Sequence, residues 1–128
     1  MKDKLIKLIK NTKSEYFNYP VVAIMECKDG ACFNGVNIET SSPAAGVCAE
    51  RCAIYNAISN GYKKDDFLRL HLMAASCEII YPCFICRQTL VDFCNDNMEI
   101  VIYDADEDRE VHLTVNDLTP YKFDKEDL

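Results

Sequence analysis

Positive charge is scarce in this 128-residue chain: 14 Lys and Arg stand against 21 Asp and Glu, a formal charge of −7. A protein that neutralises phosphates needs a basic face, so the balance argues against a nucleic-acid partner or an anionic membrane surface. Long apolar runs are missing as well. No segment approaches the roughly 18 apolar residues of a membrane span. The first ten residues carry a charge every few positions and hold no uninterrupted apolar stretch of signal-peptide length. There are no internal repeats, low-complexity tracts or linkers, so the sequence reads as a single domain over residues 1–128. Tryptophan is absent and histidine is confined to His71 and His112.

Cysteine is present in excess, eight residues in a chain long enough to bury a core without disulfide staples. With no secretory segment the expected location is cytoplasmic, where thiols stay reduced. Such cysteines serve as ligands, nucleophiles or small buried hydrophobes rather than as cross-links.

The spacing of Leu5, Ile6, Leu8 and Ile9 predicts an amphipathic helix over residues 2–13. The apolar run 20–27 (PVVAIMEC) predicts a strand, Lys28-Asp29-Gly30 a hairpin turn, and 31–38 the returning strand. After a loop over 40–46, the small residues Ala49, Cys52, Ala53, Asn56 and Ala57 mark a helix over 47–60 that Gly61 stops. A buried strand over 69–76 follows, then a helix begun by Pro82, a strand over 99–103, and a hairpin partner over 110–115. The acidic run 104–108 reads as a solvated turn. The alternation of strands and helices predicts a layered α/β domain around a mixed sheet.

Cys83 and Cys86 form a Cys-x-x-Cys pair after Pro82, at a predicted helix start. Free backbone N–H groups and the helix dipole favour thiolates there. Cys48, at the start of the preceding helix, offers a third soft donor. Zinc takes Cys or His in a tetrahedron, and three protein ligands leave its fourth position open, as in catalytic sites. Glu50, two residues after Cys48, is a carboxylate that can move protons. Two plainer readings stand beside this one. Cys52, four residues after Cys48 on the same helix face, would complete a closed four-cysteine structural site. Alternatively the cysteines only pack, and Glu50 only complements the helix dipole.

Cys48-Ala49-Glu50-Arg51, followed by Pro82-Cys83-x-x-Cys86-Arg87-Gln88, resembles the zinc signature of the cytidine deaminases, in their small homotetrameric three-cysteine branch. Asn37-x-Glu39, Tyr16-x-x-Tyr19-Pro20-Val21, and 118–123 with the terminal Asp127-Leu128 resemble further segments of that family in the same order. The resemblance implies a three-layer α/β/α domain with a central mixed five-stranded sheet. It implies one Zn²⁺ per subunit on Cys48, Cys83 and Cys86, with Glu50 as the proton shuttle and Arg51 behind the sulfurs. It also implies a nucleoside substrate held by Asn37 and Glu39 at the ribose, with Tyr19, Ala49 and Tyr81 around the base. Phe123 would reach into a neighbouring subunit's site in a homotetramer. The activity implied is deamination of cytidine and 2′-deoxycytidine in pyrimidine salvage; a modified nucleoside such as blasticidin S is the alternative substrate.

Several positions depart from the pattern. Phe84 replaces a glycine beside the ligand Cys83, where its ring is expected to narrow the pocket or bury the metal. Val22 replaces a strand glycine, Val36 a cysteine before Asn37, Tyr81 a serine, and residues 40–43 differ from the usual run. His71 and His112 are expected in structural or surface roles, and Cys27, Cys32, Cys52, Cys77 and Cys94 in packing.

Overall fold

The computed structural model describes residues 1–76 and 78–128. Cys77, expected to pack, lies outside them. The run VVAIMEC is apolar on both faces, the pattern of a strand covered on both sides, and it forms β1 (Val21–Cys27) at the heart of a sheet. Gly30 turns the chain at φ +92°, its N–H donating to the carbonyl of Cys27, and β2 (Cys32–Val36) returns antiparallel. The remaining elements are α1 (Lys2–Leu8), α2 (Ala49–Ser59), β3 (Phe67–Ala74), α3 (Phe84–Phe93), β4 (Glu99–Tyr103), β5 (Glu110–Thr114) and the short α4 (Val115–Leu118). The strands run in the order β2-β1-β3-β4-β5, and only β3 and β4 pair in parallel, through the crossover that contains α3. No helix is long and apolar enough to cross a membrane among the described residues.

Two cores follow from the alternation along the strands. Val21, Ala23 and Met25 of β1, with Leu70, Leu72, Ile100 and Ile102, pack against Ala49, Ala53, Ile54 and Ala57 of α2 and Leu90 of α3. The alternate residues Val22, Ile24, Met73, Val101 and Tyr103 pack against Leu5 and Leu8 of α1. The result is the expected three-layer mixed fold, with α2 and α3 sharing one face. Gly35 of β2 allows the closest approach. A Cβ built there would stand 2.3 Å from the carbonyl oxygen of Ala49 and 2.3 Å from the amide nitrogen of Ala53.

The structure corrects several boundaries. Helix α1 ends at Leu8 and tightens over Ile9–Asn11, because Lys13 is drawn into a bridge with Ile38. Strand β2 stops at Val36, so Asn37 and Glu39 lie beyond it. Pro82 is outside α3: Cys83, with extended backbone, is the N-cap, and the first helical bond runs from the N–H of Arg87 to the carbonyl of Cys83. Cys32 is exposed rather than packed, whereas Cys27 and Cys94 are buried. Asp104 is not solvated. It is buried at the end of β4, accepts the N–H groups of Asp106 and Glu107, and pairs with Arg109.

On the α1 side of the sheet, His71 is buried between Glu26 and Tyr103. The Glu26 carboxylate accepts from Nε2 at 2.9 Å, which leaves Nδ1 to accept the Tyr103 hydroxyl at 2.8 Å. Arg69 from β3 bonds both Glu26 and Glu99. Burial holds the His71 pKa below the ordinary imidazole value despite Glu26. The unfolded chain therefore binds the proton more readily, and His71 stabilises the fold above about pH 6.5 but not in acid. Thermal melts of wild type and His71→Gln should show a Tm gap that is widest above pH 7 and shrinks as the pH falls below about 6.5. A gap that widens in acid would reverse this assignment.

Candidate active site

The cysteines of interest sit at two helix starts. Cys48 and Cys83 are the N-caps of α2 and α3, each with extended backbone, and Cys86 is the third residue of α3. Both helices thus direct their unbonded first-turn N–H groups and positive dipole ends at one point. The three sulfurs lie within 4.8 Å of one another, and Cys48 and Cys83 are 3.8 Å apart. That separation is about the edge of a tetrahedron with Zn–S bonds of about 2.3 Å. Cys52 is outside this cluster, although it shares a helix with Cys48.

Arg51 reaches back to the group, with Nη2 3.8 Å from the Cys48 sulfur. The Cys48 thiol is drawn well below its usual pKa, first by the Cys86 thiol that donates to it and then by Arg51, while Cys86 is pushed up in exchange. Nε of Arg51 is buried without a hydrogen-bond partner among the described residues, a donor that increased negative charge on the sulfurs would suit. Reduced soft donors, two helix N-termini and a guanidinium make a donor set that fits zinc.

Glu50, the second residue of α2, is 4% exposed. Burial pushes its carboxyl up to about 7, within reach of proton exchange at neutral pH. It opens into a pocket of about 730 Å³, whose wall also includes Cys48, Ala49, Arg51 and Cys83. This is the size of a small-ligand site. Tyr19, Asn37, Glu39 and Tyr81 line it too, so the pocket gathers all but two of the proposed metal, catalytic and substrate residues. Neither Cys86, which is fully buried, nor Phe123, 57% exposed with its carbonyl accepting from Gln88, lines it.

Asn37 and Glu39 lie past the end of β2, on either side of Ile38, and both line the pocket. Asn37 accepts the N–H of Val21 and donates to the carbonyl of Tyr19, while Glu39 accepts from Ser14, Tyr16 and Phe17. Phe84 neither narrows the pocket nor covers the cysteines. Its ring is 80% exposed and stacks under Arg87, whose Cζ lies 4.6 Å from the centroid. Arg87 also donates to the carbonyls of Pro82 and Leu118, tying the start of α3 to α4. Val22 faces α1, whereas its neighbour Val21 lines the pocket. Val47, Ile79 and Ile80 complete the apolar wall. No motif marks these three, and their only sequence signal is nearness to Cys48 and Cys83.

Comparison with known proteins agrees with this geometry. A family model described as the cytidine and deoxycytidylate deaminase zinc-binding region matches residues 1–103. A cytidine deaminase of Sporosarcina psychrophila is 35% identical, the alignment covering 98% of this chain and 93% of the relative. A blasticidin-S deaminase of Bacillus cereus is more distant, at 27% over 94% of this chain and 85% of its own. The crystal structure of a Burkholderia pseudomallei cytidine deaminase superimposes with a TM-score of 0.84, covering 96% of this chain and 99% of that one at 28% identity. By fold, by sequence and by a cluster of three thiols at paired helix starts, the chain belongs to the cytidine deaminase family.

Proposed function

We propose that the protein is a single-domain, zinc-dependent hydrolase that converts cytidine and 2′-deoxycytidine to uridine and 2′-deoxyuridine, releasing ammonia, as a cytoplasmic step of pyrimidine salvage. The observation that carries this reading is the buried Glu50 carboxyl beside three converging thiols in one pocket. Cys48, Cys83 and Cys86 would hold one Zn²⁺ per subunit, which when bound supplies the Lewis acidity that makes water a nucleophile near neutral pH. Glu50 takes the proton from the attacking water and delivers it to ring N3. With the water oxygen now bonded to C4, its remaining proton passes through Glu50 to the C4 amino group, and the C4–N bond breaks to release ammonia, so one water is consumed per ammonia released. Arg51 holds the Cys48 sulfur in place and offsets the negative charge of the thiolates.

Tyr19, Ala49 and Tyr81 frame the base, and Asn37 and Glu39 stand at the sugar end of the pocket. The exposed Phe123 suits a homotetramer in which it enters a neighbouring subunit's site. The lower identity of the blasticidin-S relative favours ordinary nucleosides over that substrate.

The test is loss of cytosine absorbance with cytidine, 2′-deoxycytidine and blasticidin S, before and after zinc removal by a chelator. The two ordinary nucleosides should be turned over by the zinc-loaded protein, and chelation should abolish the activity. Cys52→Ser should keep both zinc and turnover, since Cys52 is outside the thiol cluster. Absence of turnover on all three substrates by zinc-loaded protein would defeat the reading.

A further inference from the structure

Residues 14–19 form an outer wall of the pocket although they contain neither helix nor strand. Their aromatic side chains Tyr16, Phe17 and Tyr19 line the cavity and are all exposed, so apolar burial does little to hold them. Asn18 adds a cost, with φ of +51° in the left-handed region. Unsupported, such a segment would sample many conformations.

Asn37 anchors the segment's far end through the carbonyl of Tyr19, and a polar network on Glu39 and Ser14 holds the rest. Glu39 Oε1 accepts the N–H of Tyr16 at 2.8 Å and of Phe17 at 3.0 Å, and Oε2 accepts the Ser14 hydroxyl at 2.8 Å. The Ser14 oxygen in turn accepts the N–H of Tyr19 at 2.7 Å, and its carbonyl accepts the N–H of Asn18 at 2.9 Å. The hydroxyl's one donor and one of its lone pairs are thereby used, each on a different end of the wall. No Lys or Arg lies within ion-pair distance of Glu39 among the described residues, so hydrogen-bond donors alone satisfy its carboxylate here. Ser14 itself does not line the pocket.

We infer that Ser14 is a positioning residue for substrate binding: through Glu39 and the Tyr19 amide it staples residues 14–19 into the wall that receives the nucleoside. The inference rests on the pocket being the nucleoside site. Its consequence is that part of the contribution of Glu39 to binding is made through the protein's own backbone. Losing the staple weakens ground-state and transition-state binding alike, which raises KM and spares kcat.

The test uses the zinc-loaded protein, with amide hydrogen exchange and steady-state kinetics on wild type, Ser14→Ala and Ser14→Thr. In Ser14→Ala the amides of Tyr16, Phe17 and Tyr19 should exchange at least about tenfold faster while amides of β1 and β3 keep their protection. The same variant should raise KM for cytidine about tenfold, the effect of one hydrogen bond to a charged group, with kcat within about twofold. Ser14→Thr, which keeps the hydroxyl, should restore both. Unchanged exchange at the three amides overturns the inference, as does a loosened segment with an unaltered KM. Absence of cytidine turnover by wild type would instead refute the nucleoside site, and the exchange data would still report on the staple.

Discussion

Glu50→Gln is expected to bind zinc as the wild type does and to lose about three orders of magnitude or more in kcat for cytidine. Glutamine keeps the volume and the hydrogen-bonding shape of the side chain but can neither take nor give the proton. Positioned acid–base groups contribute about 10²–10⁴ each, and Glu50 is proposed to act at more than one proton transfer. Retained zinc is expected because the donor cluster consists of three thiols and omits the carboxylate. Stability should move the other way from activity. Burial raises the Glu50 pKa above that of an unfolded glutamate, so the folded state holds the proton longer. The fold therefore loses stability as pH rises from about 4.5 through about 7, and the neutral glutamine escapes that loss. At pH 8 the metal-free variant should melt no lower than metal-free wild type. Metal analysis and turnover of the zinc-loaded proteins, and thermal melts after zinc removal, check all three. An active Glu50→Gln protein would end the proposed mechanism.

Gly35→Ala is expected to destabilise the protein by about 3 kcal/mol or more, lowering Tm by roughly 10 °C, and to reduce zinc content with it. The added methyl has nowhere to go: it would meet the backbone of α2 at both Ala49 and Ala53. Backbone atoms cannot swing aside as a side chain can, so α2 must lift from β2. That motion carries Cys48 and Glu50 away from Cys83 and Cys86, which are borne on a different helix. Adding Ala53→Gly removes only the methyl contact at 2.8 Å and should not restore stability, because the two backbone clashes remain. Calorimetry and metal analysis of the single and double variants test this. A Gly35→Ala protein with wild-type Tm would show that the approach of α2 to β2 is looser than described.

Much of this architecture is legible in the residues because its signals are periodic. The two-sided apolar run of β1, the small-residue stripe of α2 and the Lys28-Asp29-Gly30 turn each point to one local structure. The cysteine motifs are legible for a different reason, since soft donors at helix starts have few other uses. What the sequence conceals is set by tertiary contact. Nothing local says that Lys13 will leave a helical stripe to bridge Ile38, or that Asn37 and Glu39 will turn inward onto residues 14–21. Phe84 is misleading by size: beside a ligand position it suggests obstruction, yet the helix start leaves it exposed to solvent, with Arg87 stacked on one face. Asp104 misleads by company, since its acidic neighbours are solvated while it alone caps the turn from within.

Strand β1 carries a consequence for how this enzyme can change. Val21 belongs to the pocket and Val22 to the layer beneath α1, one residue apart on opposite faces. Parity thus partitions the strand into two independent dials. A substitution at Val21 reshapes the chamber and leaves the α1 layer untouched, and one at Val22 does the reverse. New substrate preferences can therefore be acquired along one side of the strand without renegotiating the packing that the other side maintains.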